Sequence, residues 1–312
     1  MLNHRWIWTL VFLLGCVSLA SAQNPQAARD FYTRGQQRFL KHDFKGAIAD
    51  FTKAIEICLR PSQAPADWPT QANFKSADTG AAGVTLIEPL AARAYTDRAL
   101  ARYYDGDLEG AIGDCNQAIA IDSGIAEAYN NRGVARSSKG EIEGAILDFN
   151  RAIKINPQFA QAYNNRGNIL FKKADYTAAI ADFDQAIILN PESAETYCNR
   201  GLARRGSGDF EEALADFAQA LELNPRLAWA YFGRASVRSA KQDLSGAIND
   251  FTRALELDTH FAMAYGNRGL VRMRLGQDAD AEKDFAHCLR LEPNLKAELD
   301  QLIRAEKTLR KK

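Results

Sequence analysis

The sequence is short of the features on which several function classes depend. Five cysteines in 312 residues, with no Cys-x-x-Cys pair, exclude a disulfide framework and the common zinc-ribbon spacings. There is no surplus of charge, because 39 Lys and Arg balance 39 Asp and Glu. A general nucleic-acid binder needs a basic excess to displace counterions, so the balance argues against that class. Histidine is scarce: His4, His42, His260 and His287 form no evident triad or metal cluster. G-x-S-x-G, H-E-x-x-H and Walker motifs are absent from the sequence. The chain therefore reads as a non-enzyme that needs no cofactor and no metal. A composition with 46% hydrophobic and 25% charged residues is that of an ordinary globular protein and excludes global disorder.

Long apolar runs are also lacking, with one exception at the start. Residues 1–22 open with His4 and Arg5, continue through a mostly apolar run from Trp6 to Ala20, and end in Ala20-Ser21-Ala22 before Gln23. This is the three-part layout of a secretory signal peptide. The run falls short of the about 20 apolar residues that a spanning helix needs. Cleavage after Ala22 would leave an exported chain, periplasmic or secreted, with no integral membrane span. The alternative is a membrane-anchored lipoprotein: Leu13-Leu14-Gly15-Cys16 resembles a lipobox, in which Cys16 would carry the lipid.

What the sequence has in abundance is a period. Tyr95, Tyr129, Tyr163, Tyr197, Tyr231 and Tyr265 are spaced by 34 residues, and Asp114, Asp148, Asp182, Asp216, Asp250 and Asp284 keep the same step. An earlier copy sits at Phe31 and Asp50. The repeats run 28–61, then 92–125 through to 262–295, seven in all. Residues 23–27 form a linker before them, 62–91 a Pro/Ala/Gly-rich insert, and 296–312 a tail. Each repeat reads as two helices. In 126–159 the first ends at Gly140. The second carries Ile142, Ala145, Ile146, Phe149, Ala152 and Ile153 along one face and stops at Asn156-Pro157.

The step, the helix–turn–helix units, Tyr129-x2-Arg132-Gly133, Ala145-x3-Phe149, Ala152 and Pro157 resemble the tetratricopeptide repeat. That resemblance implies an all-α, right-handed α-solenoid, closed by a solvating helix over 296–312. It also implies first helices that line a concave groove for peptides or partner proteins. The carboxylate clamp of chaperone-tail binders is not implied, since none of the fifth repeat positions is Lys.

Departures from the family pattern carry the remaining expectations. Arg stands in all seven repeats where the family usually has Leu, matched by an Asp in each second helix. Arg132–Asp148, Arg166–Asp182 and Arg200–Asp216 are thus expected as structural ion pairs between paired helices. A further arginine four residues on, absent only where Leu170 stands, reads as solvated or paired. By the resemblance, the sixth repeat position points into the groove. Asn131, Asn165, Asn199 and Asn267 stand there and would pair with the backbone of an extended peptide; inter-repeat packing is the alternative. Phe171, Trp229 and Phe232 fall at groove positions too, and Trp229 with Phe232 would form an apolar anchor, unless they pack on adjacent repeats. The insert, with Trp68, Phe74 and Val84-Thr85-Leu86-Ile87, shows little helical pattern. The tail is expected to cap the array through Leu295, Leu299, Leu302, Ile303 and Leu309. Two functions follow: an exported scaffold that binds a peptide or partner protein in its groove, or a structural assembly factor of an envelope complex that works through the insert and the solenoid edges.

Overall fold

The computed structural model describes residues 25–59 and 82–309. The signal segment, Cys16, Trp68, Phe74 and the last three residues lie outside the described residues. So do the side chains of Val84 to Ile87 and of Leu309. Among the described residues the chain folds into fifteen α-helices and one short 3₁₀ turn. Contacts divide it into an N-terminal unit up to Pro157 and a C-terminal unit from Gln158. Both are all-α solenoids in which helix pairs pack in series.

The N-terminal unit holds α1 (Pro25–Leu40), α2 (Phe44–Leu59), α3 (Ala82–Asp105), α4 (Leu108–Ile121), α5 (Ala126–Ser138) and α6 (Ile142–Ile155). The C-terminal unit holds α7 (Ala160–Lys172), α8 (Tyr176–Leu189), α9 (Ala194–Ser207), α10 (Phe210–Leu223), α11 (Ala228–Ala240), α12 (Leu244–Leu257), α13 (Ala262–Arg274) and α14 (Asp278–Leu291), closed by α15 (Lys296–Leu309). The insert departs from expectation. Its last ten residues are helical and belong to α3, which begins at Ala82 and contains Pro89. The insert does not break the stacking of the first two repeats, since Ala54, Ile55 and Ala94 share one buried cluster and Arg98 donates to the Thr52 hydroxyl at 2.9 Å.

Helix pairs close on size matching. A Cβ added to Gly133 would stand 2.8 Å from the Phe149 ring, so Gly lets this ring seat close between the helices, although in the sixth repeat Ala235 and Phe251 share one buried cluster. In the second repeat the first helix carries the larger Ala99, and the facing residue is the smaller Cys115; both are buried. Turns between paired helices put one residue at positive φ. It is Gly at four places, but His42, Ala174 and Gln242 adopt the same left-handed conformation at 59°, 59° and 67°. Four aspartates of these loops, Asp43, Asp107, Asp175 and Asp243, cap the second helices; Asp107 accepts from the Gly110 amide at 2.8 Å.

The layer between paired helices is ionic and repeats seven times. Each arginine donates a fork to its aspartate, as in Arg132 Nε–Asp148 Oδ2 at 3.0 Å and Nη2–Oδ1 at 2.6 Å. Arg166–Asp182 and Arg200–Asp216 have the same two-bond geometry. The guanidinium also lies over the aromatic ring three residues earlier, Arg132 over Tyr129 at 5.3 Å. The second arginine reaches the same carboxylate, Arg136 to Asp148 Oδ2 at 2.7 Å. Asp182 is served by a single arginine from its own repeat, because Leu170 replaces the second. The aspartates are almost fully buried, and loss of one partner from a buried pair costs about 3–5 kcal/mol.

The tail closes the C-terminal unit. Leu299 is buried and Ile303 packs on the last repeat, while Glu306 accepts from Arg274 at 2.8 Å. Leu302 is 43% exposed and does not join that face. Cys58, Cys115, Cys198 and Cys288 are buried free thiols. Burial pushes Cys115 and Cys198 up to about 12, so both stay protonated and inert.

Candidate functional site

The seven residues expected at the groove separate on inspection. Asn131 lies in the N-terminal unit and donates to the Thr96 carbonyl at 3.4 Å. Asn199 donates to Asn164 Oδ1 at 3.1 Å. Asn267 bonds back along its own helix, to the Met263 carbonyl at 3.0 Å. Asn165 is half-buried and already partnered. In three of the four, then, an amide N–H already serves an inter-helix or intra-helix contact, and the ladder is not a row of free amides.

The aromatic residues divide in the same way. Phe232 is only 6% exposed. It packs on Phe251 at 5.8 Å and Phe261 at 4.8 Å between ring centroids, so it belongs to the core and is no surface anchor. The reason lies in the repeat: the fifth position faces the interior, as at Thr96, Asn130 and Cys198, and Phe261, in the turn before α13, supplies a second ring against which Phe232 closes. Trp229 remains 46% exposed although it touches both rings, at 5.6 Å to Phe232 and 4.7 Å to Phe261. A half-exposed indole on an aromatic base is held in place before any ligand arrives, which reduces the entropy lost on binding.

Trp229 forms the lip of a hollow of about 360 Å³ in the C-terminal unit, whose other walls are Asn168, Phe171, Lys172, Asn199 and Leu202. Its floor is apolar and its polar groups are few. Asn199 keeps its carbonyl oxygen as an acceptor once its N–H₂ has bonded to Asn164. Among the described residues Asn168 has no hydrogen bond and Lys172 no ion pair. The hollow can therefore seat one large apolar side chain, pair with the N–H and C=O of an extended backbone, and meet one negative charge. Asn168, Lys172 and Leu202 were not singled out from the sequence. They were legible in principle: Asn168 lies three and four residues before Phe171 and Lys172, and Leu202 three after Asn199, the spacings that share a helix face.

Another C-terminal hollow, near the tail, is smaller, about 120 Å³. Met263, Asn267, Leu270, Leu299 and Leu302 contribute to its walls. Among the described residues no group of three or more His, Cys, Asp or Glu is placed to hold a metal ion. No helix of the described residues is long and apolar enough to cross a membrane.

Comparison with known proteins agrees with this architecture. A model described as TPR repeat matches residues 135–174. Two described as tetratricopeptide repeat match 167–238 and 262–295. Among solved structures, pilF of Pseudomonas aeruginosa is similar over 70% of this chain and 99% of its own, at 21% identity and a TM-score of 0.62. A tetratricopeptide repeat protein of Parabacteroides merdae is similar over 90% of this chain and 99% of its own, at 20% identity and 0.60. The Cut9–Hcn1 tetramer of APC/C gives 88% and 55%, at 14% identity and 0.63. These likenesses bear on the fold alone. No curated protein matches the sequence.

Proposed function

Because the chain is a tetratricopeptide-repeat protein, we propose that it acts by binding rather than catalysis, as an interaction scaffold whose C-terminal unit holds an extended segment of a partner protein. The observation that carries this reading is Trp229, nearly half exposed yet fixed on Phe232 and Phe261, at the lip of an apolar hollow. Interface hot spots favour such an indole, because it offers a large contact area at little entropic cost. Asn168 and Asn199 flank the hollow and would pair with the partner's main chain, which gives affinity with little dependence on sequence. Phe171 and Leu202 would surround the anchoring side chain. Asn131 instead ties its helix to α3 within the N-terminal unit, and Asn267 bonds within its own helix.

The scaffold is proposed to act outside the cytoplasm, with residues 1–22 as the export signal. N-terminal sequencing of the mature protein tests that: a start at Gln23 supports cleavage, a start at an acylated Cys16 supports the lipoprotein, and an intact Met1 contradicts export by either route. For binding, a photo-crosslinking residue at position 172 should trap a discrete partner in native cells. The adduct should disappear in Trp229→Ala while the fold persists. An adduct unchanged by Trp229→Ala would move the binding surface elsewhere.

A further inference from the structure

The N-terminal unit carries a counterpart of the hollow just described. It measures about 350 Å³ and is lined by Gln36, Phe39, Leu40, Asp97 and Leu100, with the buried Phe51 behind. These are the same repeat positions, three repeats earlier, as Asn168, Phe171, Lys172, Asn199 and Leu202. Phe39 stands for Phe171 and Leu100 for Leu202, so the apolar floor is kept. The charge is reversed: Leu40 replaces the lysine, and Asp97 replaces an asparagine.

We propose that this hollow is a second docking site, which takes a large apolar side chain flanked by a lysine or arginine of an extended partner segment. Three observations carry it. First, Leu40 is 78% exposed at the rim, with Phe39 in contact with Tyr104 and Phe44 beside it. The apolar floor therefore continues into an aromatic shelf left open to a partner. Second, Asp97 is held but not neutralised. The Tyr32 hydroxyl donates to its Oδ2 at 2.8 Å and the Gln36 amide at 3.2 Å, and among the described residues no base forms an ion pair with it. No buried side-chain polar atom of the described residues lacks a partner, so Oδ1, for which no bond is seen, is not fully buried. Third, on its other side Asp97 borders a hollow of about 520 Å³ with Asp122 and Glu127, opposed by Arg93 alone. A cation entering beside the apolar anchor meets a negative field, whereas the C-terminal hollow offers the anchor's neighbour a lysine.

This inference uses only the N-terminal unit and stands or falls apart from the Trp229 site. The test is binding of two short labelled peptides to the full chain by fluorescence anisotropy, Phe-Lys and Phe-Glu on a Gly-Ser background. The Phe-Lys peptide should lose about tenfold in Asp97→Asn, the scale of one charge-assisted hydrogen bond, be unaffected by Trp229→Ala, and bind that variant, whose C-terminal hollow is disabled, more tightly than Phe-Glu does. Leu40→Ser, at an exposed position that cannot disturb the core, should weaken it as well. Equal affinity of the two peptides for the Trp229→Ala chain, or loss of Phe-Lys binding in Trp229→Ala with none in Asp97→Asn or Leu40→Ser, would overturn the proposal. So would self-association of the chain that Leu40→Ser abolishes, which would make the occupant a second copy. Failure of the Phe-Glu arm alone bears on the C-terminal hollow and leaves this site standing.

Discussion

Two surfaces of the same helices change along the chain in opposite ways. Between paired helices, all seven repeats keep the forked Arg–Asp pair, with each guanidinium over an aromatic ring. On the outward face of the first helices, positions three repeats apart differ: Leu40 against Lys172, Asp97 against Asn199, Glu127 against Trp229. What recurs with the period is what the fold requires at every step of the stack. What departs from it is free of that requirement, and the two hollows are built there.

The comparison breaks most visibly in the ionic layer. Asp250→Ala leaves Arg234 and Arg238, which now donate to it at 2.7–2.8 Å, without their carboxylate. It should cost about 3–5 kcal/mol in urea unfolding. Asp182→Ala, with Leu170 in place of the second arginine, should cost about 1 kcal/mol less, the scale of one hydrogen bond. Equal losses would show that the second arginine contributes nothing.

Next come two rings three residues apart. Phe232→Ala empties a core position and should destabilise the chain by about 3–5 kcal/mol. Trp229→Ala should weaken partner binding by about 2 kcal/mol, roughly thirtyfold, while leaving thermal unfolding much closer to wild type. Similar melting losses in both variants would place Trp229 in the structural layer.

Smaller effects sharpen the picture. Ala174 holds a left-handed turn conformation that Gly adopts without penalty, so Ala174→Gly should stabilise the C-terminal unit by about 0.5–1 kcal/mol. A loss of stability would mean the turn is not strained. Burial pushes the Asp97 carboxyl above its ordinary range, against the hydrogen bonds from Tyr32 and Gln36 that favour its charge. A raised folded-state value means the ionised form is penalised once pH climbs through that range, and not below the unfolded value. Asp97→Asn should therefore raise stability at neutral pH, with the gain shrinking to nothing in acid. A gain that persisted in acid would deny that the charge is the cause.

The fold was legible because its signal is repeated seven times. Arg132 with Asp148 is one pair, but the coincidence of seven arginines with seven aspartates at one spacing marks a contact. The open face was less legible because no period supports it. Phe232 and Trp229 are both aromatic, but Phe232 stands at the fifth repeat position, buried also at Thr96, Asn130 and Cys198, whereas Trp229 stands at the second, which is exposed in every repeat. The carbonyls that take up the N–H groups of Asn131 and Asn199, on Thr96 and Asn164, come from the neighbouring repeat, which spacing within one repeat does not reveal. The early start of helix α3, at Ala82, was not legible because residues 82–91 hold no strong periodic pattern.

The central claim is that Trp229 forms the lip of a binding hollow. The most direct test is selection of peptides from a random display library on the full chain, with the Trp229→Ala variant screened in parallel. The account predicts sequences that share a large apolar anchor and are lost from the variant. Recovery of the same sequences from both proteins would contradict it.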